Sequence, residues 1–126
     1  MAGYSGTPLP KKLGIKDGSK VLVVGEAPKT LGIKSSPKAA RYDVIVVFVT
    51  ERAELAKQFK AQLKVLEQNG GLWAAWPKKS SGVKTDITED TVRAVALPMG
   101  LVDNKVCAID ETWSGLRCVI RLENRK

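Results

Sequence analysis

The stretch Tyr42-Asp43-Val44-Ile45-Val46-Val47-Phe48-Val49, continuing into Thr50-Glu51-Arg52-Ala53-Glu54-Leu55, decides how this chain is read. Val44 to Val49 is the longest uninterrupted apolar run in the protein. It is far shorter than the roughly 20 residues a bilayer-spanning helix needs. Rich in β-branched residues, it reads as a strand buried on both faces, the kind found in parallel sheets. Thr50 stands at a natural N-cap, and Glu51 and Glu54 fall in the first helical turn, where carboxylates favour the helix dipole. Leu55, Phe59, Leu63 and Leu66 recur at helical spacing on one face, with Lys57, Lys60 and Lys64 marking the solvent side. Asn69-Gly70-Gly71 closes the helix through the left-handed conformation that glycine allows. Leu72 to Trp76 follows as the next strand. Strand, helix and strand in this order form a right-handed crossover between parallel strands.

Outward from this unit the same logic places the other elements. Asp17-Gly18 is a turn that leads into Lys20-Val21-Leu22-Val23-Val24-Gly25, a second doubly buried strand. Residues 26 to 41, punctuated by Pro28, Gly32, Ser35, Ser36 and Pro37, read as a long loop or one short helical turn. Residues 1 to 12 read as an extended or loosely ordered arm, with a short helical turn over 12 to 16. Downstream, a helix begins near Thr85 to Glu89, with Asp86 and Glu89 at capping-box spacing or Thr88 as the cap. Val92, Val95 and Ala96 face inward, and Pro98 with Gly100 stop it. Val102 to Ile109 and Leu116 to Leu122 form a hairpin around Asp110 to Gly115, with Leu116, Cys118, Ile120 and Leu122 alternating against Arg117, Val119 and Arg121. The expected architecture is α/β: one domain over 1 to 126. Its small, mostly parallel Rossmann-like sheet has about five strands, with flanking helices and a C-terminal antiparallel hairpin.

Composition narrows the chemistry. The 126 residues carry 21 Lys and Arg against 13 Asp and Glu, a formal charge of +8, and no histidine. Without histidine a serine has no ordinary activating base, and a structural zinc site lacks its usual ligands. Cys107 and Cys118 are expected to be reduced and buried rather than paired. No charged segment followed by a long apolar core opens the sequence, so a cytoplasmic address is expected and a membrane partner is not. The positive charge suggests weak nucleic-acid contact, although the lysines are dispersed and no segment interleaves them with aromatics. An exposed edge strand in the hairpin could pair with a second copy.

Three places are candidates for binding. Trp76-Pro77 empties into Lys78-Lys79-Ser80-Ser81-Gly82, whose ammonium groups, hydroxyls and backbone N–H groups suit an anionic ligand, or simply a solvated connection. Such loops lie outside the carboxyl ends of strands, where open α/β sheets bind ligands. Around the hairpin, Asp110, Trp113, Ser114 and Arg117 could accept a hydrogen bond, cover a ligand and hold a charge. The same residues could serve the turn alone, with Arg117 paired to Asp103 or Asp110. Gly25 and Glu26 end the first strand, and Glu26 could accept from a ribose hydroxyl or serve only a turn. Trp73 and Trp76 point to opposite faces and read as core. No residue stands out as catalytic or as a metal ligand, and the residues by themselves require no cofactor.

Two resemblances add to this. Leu13-Gly14-Ile15-Lys16-Asp17-Gly18-Ser19-Lys20 through Gly25 looks like the entry to a class I methyltransferase fold. Tyr42-Asp43-Val44 through Gly70-Gly71-Leu72-Trp73 looks like its fourth strand, following helix and fifth strand, and the terminal hairpin like its last two strands. The resemblance implies the spatial order first, second, third, last, fourth strand, and S-adenosylmethionine as cofactor. The chain departs from that pattern after Gly25, where Glu26-Ala27-Pro28 lacks the further glycines, and over 28 to 41, which is too short for the second and third strands. Separately, Gly3-Tyr4-Ser5-Gly6-Thr7-Pro8-Leu9, Trp76-Pro77-Lys78-Lys79 and Thr112-Trp113-Ser114-Gly115-Leu116-Arg117 resemble a family of small bacterial proteins without an assigned activity. That likeness implies a truncated Rossmann-like domain. The residues taken alone favour a non-catalytic binding domain for an anionic partner; a reduced methyltransferase-like enzyme is the alternative, and nucleic-acid binding a second.

Overall fold

The computed structural model describes residues 8 to 125. Five strands form one sheet: β1 (Val21–Val24), β2 (Tyr42–Phe48), β3 (Leu66–Pro77), β4 (Leu101–Ala108) and β5 (Trp113–Ile120). Their spatial order is β1-β2-β3-β5-β4, the order the methyltransferase resemblance implies. The sheet is mixed rather than mostly parallel. β1, β2 and β3 run parallel, but β5 returns antiparallel beside β3 and pairs antiparallel with β4. The cause is the hairpin, which inserts its second strand against β3 and so turns half of the pairings.

The helices do not flank the sheet evenly. α2 (Arg52–Leu63) and α3 (Glu89–Ala96) both lie on one face, where Leu55, Phe59, Val92 and Val95 meet Ile45, Val47, Leu72, Ala74 and Trp76. The opposite face, Val44, Val46, Trp73, Ala75 and Ile109, is covered by Leu13 and by Leu9, Ile15, Leu31 and Ile33. The turn from Leu9 to Lys12 is a short helix, α1, so the expected arm is ordered there; residues 1 to 7 of that arm lie outside the described residues. Trp73, fully buried on this face, donates its indole N–H to the carbonyl of Leu13 at 3.1 Å. That bond satisfies a polar group that would otherwise destabilise the core. Trp76 is buried on the other face, as period-two alternation requires.

Other boundaries differ from expectation for physical reasons. α2 stops at Leu63, and Leu66 opens β3 beside Tyr42 instead of continuing the helical face. Gly70 and Gly71 therefore do not cap a helix. They lie in β3 at a register shift, where a Cβ on Gly70 would sit 2.9 Å from the Asp43 carbonyl oxygen. The α2 N-terminus is not capped by Thr50; Asp86 reaches across from the loop before α3 and accepts from Arg52 N at 2.7 Å. Thr88 caps α3 in a capping box with Thr91, freeing Asp86 for that task. Residues 26 to 41 are irregular apart from a single 3-10 turn, Lys29–Leu31.

This irregular segment also explains how the sheet tolerates its missing neighbour. The outer edge of β1 would expose its backbone groups. Ser36 Oγ accepts from Val21 N at 2.8 Å and Ser35 Oγ from Val23 N at 2.9 Å, while Ser36 N donates to the Val21 carbonyl at 2.6 Å. Two serines thus do for the edge what a paired strand would do.

Candidate functional site

At the carboxyl ends of β1 and β2 the chain opens a cleft of about 480 Å³ lined by Gly25, Glu26, Phe48, Val49, Thr50, Glu51, Glu54 and Trp113. Each wall has a local origin. Gly25 turns out of β1 with φ of +89°, and a Cβ there would fall 2.3 Å from the Phe48 carbonyl oxygen, so only glycine lets the two strand ends approach. Thr50 and Glu51 connect β2 to α2, and Glu54 projects from the first turn of that helix. Trp113 packs edge-on against the buried Phe48, ring centroids 5.1 Å apart at 76°.

Trp113 is held by a tightly bonded turn. Asp110 Oδ1 accepts from Thr112 N at 2.8 Å and Trp113 N at 2.6 Å. Lys78 fastens the same turn, its ammonium donating to the Asp110 carbonyl at 2.8 Å and its N–H to the Thr112 carbonyl at 2.7 Å. Lys78 and Asp110 thus stand behind the cleft rather than in its wall. Lys79 to Ser81 form a 3-10 turn ended by Gly82, in which Ser81 Oγ bonds back to the Lys78 carbonyl at 2.6 Å. Lys79, Ser80 and Gly82 are exposed beyond it. Ser114 sits opposite Trp76 on the helix-covered side of β5.

Of the residues singled out in the sequence, Gly25, Glu26 and Trp113 come together at the cleft. Arg117 does not. It lies opposite Trp73, facing away from α2 and α3, and pairs with neither Asp103 nor Asp110. Asp103 instead bonds Arg93 at 3.1 Å, and Arg93 also meets Glu89 and Asp90, each at 3.0 Å. The hydrogen bond to Asp103, followed by that to Glu89, pushes the Arg93 pKa well above its ordinary value. Phe48, Thr50, Glu51 and Glu54, whose residue types suit a core, a cap and helix-dipole partners, also line the cleft. Their position directly after the carboxyl end of β2 was the signal that could have marked them as site residues.

The cleft therefore combines aromatic rings with three carboxylates and no lysine or arginine. Among the described residues, no group of three or more His, Cys, Asp or Glu side chains is placed to hold a metal ion. A second cavity of about 390 Å³, lined by Thr50, Glu51, Lys84, Thr85 and Asp86, shares the Thr50–Glu51 wall. Thr85 Oγ1 donates to the Thr50 carbonyl at 2.6 Å, fixing that wall against the loop before α3.

Among the described residues, the strand order β1-β2-β3-β5-β4 matches a truncated class I methyltransferase-like architecture. Three solved structures are similar to this chain in fold. A candidate type 11 methyltransferase from Sulfolobus solfataricus superposes with a TM-score of 0.54 at 12% identity, covering 100% of this chain and 97% of its own. The fibrillarin pre-rRNA processing protein of Methanococcus jannaschii gives 0.52 at 14%, covering 94% and 70%. A ribosomal protein L11 methylase from Lactobacillus delbrueckii subsp. bulgaricus gives 0.47 at 10%, with 67% of this chain spanning only 39% of that one. No protein-family model and no curated protein matches the sequence. No helix among the described residues is long and apolar enough to cross a membrane.

Proposed function

We propose that the chain is a methyltransferase-like protein that binds S-adenosylmethionine in the cleft between Gly25 and Trp113. The observation that carries this reading is the chemistry of the lining. A cleft walled by Glu26, Glu51 and Glu54 repels phosphates and carboxylates but suits a sulfonium cation, an ammonium group and ribose hydroxyls. Trp113 and Phe48 offer an apolar, aromatic wall for a purine. The fold supports the same location, since open α/β sheets bind ligands at the carboxyl ends of their strands. The anionic ligand favoured by the sequence alone does not suit this cleft.

The donor set fits the cofactor without the acidic residue that class I enzymes place after their second strand. Glu26 follows β1 and Glu51 and Glu54 follow β2, so carboxylate acceptors are present from neighbouring strand ends. When bound, the cofactor supplies an electrophilic methyl group. The chain's own contribution is to orient the ligand with Gly25 and the carboxylates, and to cover one side with Trp113. The adjoining cavity across Thr50 and Glu51 gives a second reactant a place within the same sheet edge.

Calorimetry and thermal melting with S-adenosylmethionine, S-adenosylhomocysteine and ATP test this directly. Both adenosyl-sulfur ligands should stabilise the protein, by ~2.7 kcal/mol at one hundred times Kd. ATP, equally aromatic but anionic, should not. Equal response to ATP, or no response to either sulfur ligand at millimolar concentration, would sink the reading.

A further inference from the structure

On the sheet face away from α2 and α3, a hollow of about 310 Å³ is lined by Lys12, Gly14, Asn104, Lys105 and Arg117. It shares no residue with the carboxyl-end cleft. Every charged group in its lining is positive. Arg117 projects from β5 directly opposite Lys105 on β4. α1 closes the hollow from above: Lys12 donates to the Ala108 carbonyl at 3.2 Å, and Lys105 to the Lys12 carbonyl at 2.9 Å. The ammonium groups of Lys12 and Lys105 are thus both pinned by main-chain oxygens.

Arg117 is the unusual member. It is half-buried, yet among the described residues it donates no hydrogen bond and joins no ion pair. Its seat is built by an absence: a Cβ on Gly71 would fall 2.4 Å from Arg117 Nε, so glycine lets the guanidinium lie against the β3 backbone. Burial, and then the charge of Arg125, lower its pKa from the ordinary arginine value. A desolvated guanidinium among like charges is unfavourable on its own and becomes favourable when an anion completes it. The planar fork of arginine matches two oxygens of a tetrahedral oxyanion, and lysines add point charge.

We infer that this hollow is a binding site for a phosphate group, held by Arg117 with Lys105 and Lys12. The group could belong to a small phosphate compound or to a nucleic-acid backbone, since both present the same oxygens. The inference stands independently of the cleft between Gly25 and Trp113.

The test is titration with pyrophosphate, and separately with a single-stranded RNA oligonucleotide, followed by calorimetry and by the salt dependence of affinity. Three variants discriminate: Arg117→Gln removes the guanidinium, Gly71→Ala keeps every charge but occupies its seat, and Lys57→Gln removes one charge from the solvent side of α2. Circular dichroism confirms folding for each, and Lys105→Gln replaces Arg117→Gln or Gly71→Ala should either fail to fold. Arg117→Gln and Gly71→Ala should each weaken binding at least tenfold, with Lys57→Gln changing it less than twofold. Pyrophosphate binding alone identifies a small-molecule site; RNA binding that pyrophosphate displaces identifies a backbone site. Equal loss in Arg117→Gln and Lys57→Gln, or no binding of either probe, overturns the inference.

Discussion

Replacing Gly25 by alanine tests both the close approach of two strand ends and the cleft they form. Two separate effects oppose the methyl group. The first is conformational: φ at Gly25 is +89°, a region that costs an L-residue about 1 kcal/mol. The second is steric, because the new Cβ would stand 2.3 Å from the Phe48 carbonyl oxygen and 3.3 Å from its carbon. That neighbour is backbone at the paired end of β2 and cannot rotate away, so β1 or β2 must shift at a cost of roughly 1–3 kcal/mol. The expected loss is about 3 kcal/mol in all.

Gly18 supplies the control. Its φ is +83°, nearly the same, but nothing lies within 4 Å of a Cβ placed there. Gly18→Ala should therefore lose only the conformational part, about 1 kcal/mol. Urea denaturation monitored by circular dichroism measures both variants, and the difference between them isolates the clash. Stabilities agreeing within about 0.5 kcal/mol would refute the close approach. At a temperature where Gly25→Ala remains folded, its response to S-adenosylmethionine should fall at least tenfold, about 1.4 kcal/mol, because the cleft wall has moved. Gly18→Ala should bind as the parent does.

Other expectations rest on single contacts. Trp113→Ala should weaken adenosyl-ligand binding by ~1–3 kcal/mol in calorimetry while leaving pyrophosphate binding unchanged. Asp86→Ala removes the acceptor for Arg52 N and should destabilise the protein by ~1 kcal/mol in urea melts, whereas Thr50→Ala, which caps nothing, should not. The two cysteines lie on opposite faces, so a thiol reagent should modify half-buried Cys107 before Cys118, and no disulfide should form on oxidation. Burial pushes the Cys118 thiol up to about 12, so the folded state holds its proton more tightly than the unfolded chain. Stability from this group is complete below the unfolded thiol pKa and is lost as pH rises toward 12, by up to ~1.4 kcal/mol per pH unit. Cys118→Val should flatten that alkaline decline.

The parts of the fold that were legible are those written in local patterns. The apolar run from Val44 and the β-branched run from Val21 marked two strands, and period-two alternation placed Trp73 and Trp76 on opposite faces. The parts that misled were set by partners distant in sequence. Leu63 and Leu66 are three apart, as on a helix, yet Leu66 leaves α2 because Tyr42 offers it a strand to pair with. Asn69-Gly70-Gly71 has the composition of a helix stop, but its glycines are required by Asp43 and Arg117, residues far away along the chain.

 The Asp43 carbonyl and the Arg117 guanidinium take the space their side chains would fill. Thr50 had the residue type of a cap, while the true acceptor, Asp86, arrives from the far end of β3. Local pattern names an element; the contact across the sheet decides where it ends.

The candidate site was harder to read because net charge is a property of the whole chain and a site is not. A total of +8 suggests contact with polyanions, and the residue types of Lys78 and Lys79 with Ser80, Ser81 and Gly82 suit an anionic ligand. Folding separates the signs. Glu26 from the end of β1 meets Glu51 and Glu54 from the end of β2, while Lys12, Lys105 and Arg117 converge on the face beneath α1. Lys78 spends its ammonium on the Asp110 carbonyl and so supports Trp113 from behind. The two linings share no residue, so each cluster presents its own sign of charge to its own ligand. A basic chain can therefore hold a cleft suited to a cation, and the lysines that set its overall charge do not set the charge of that cleft.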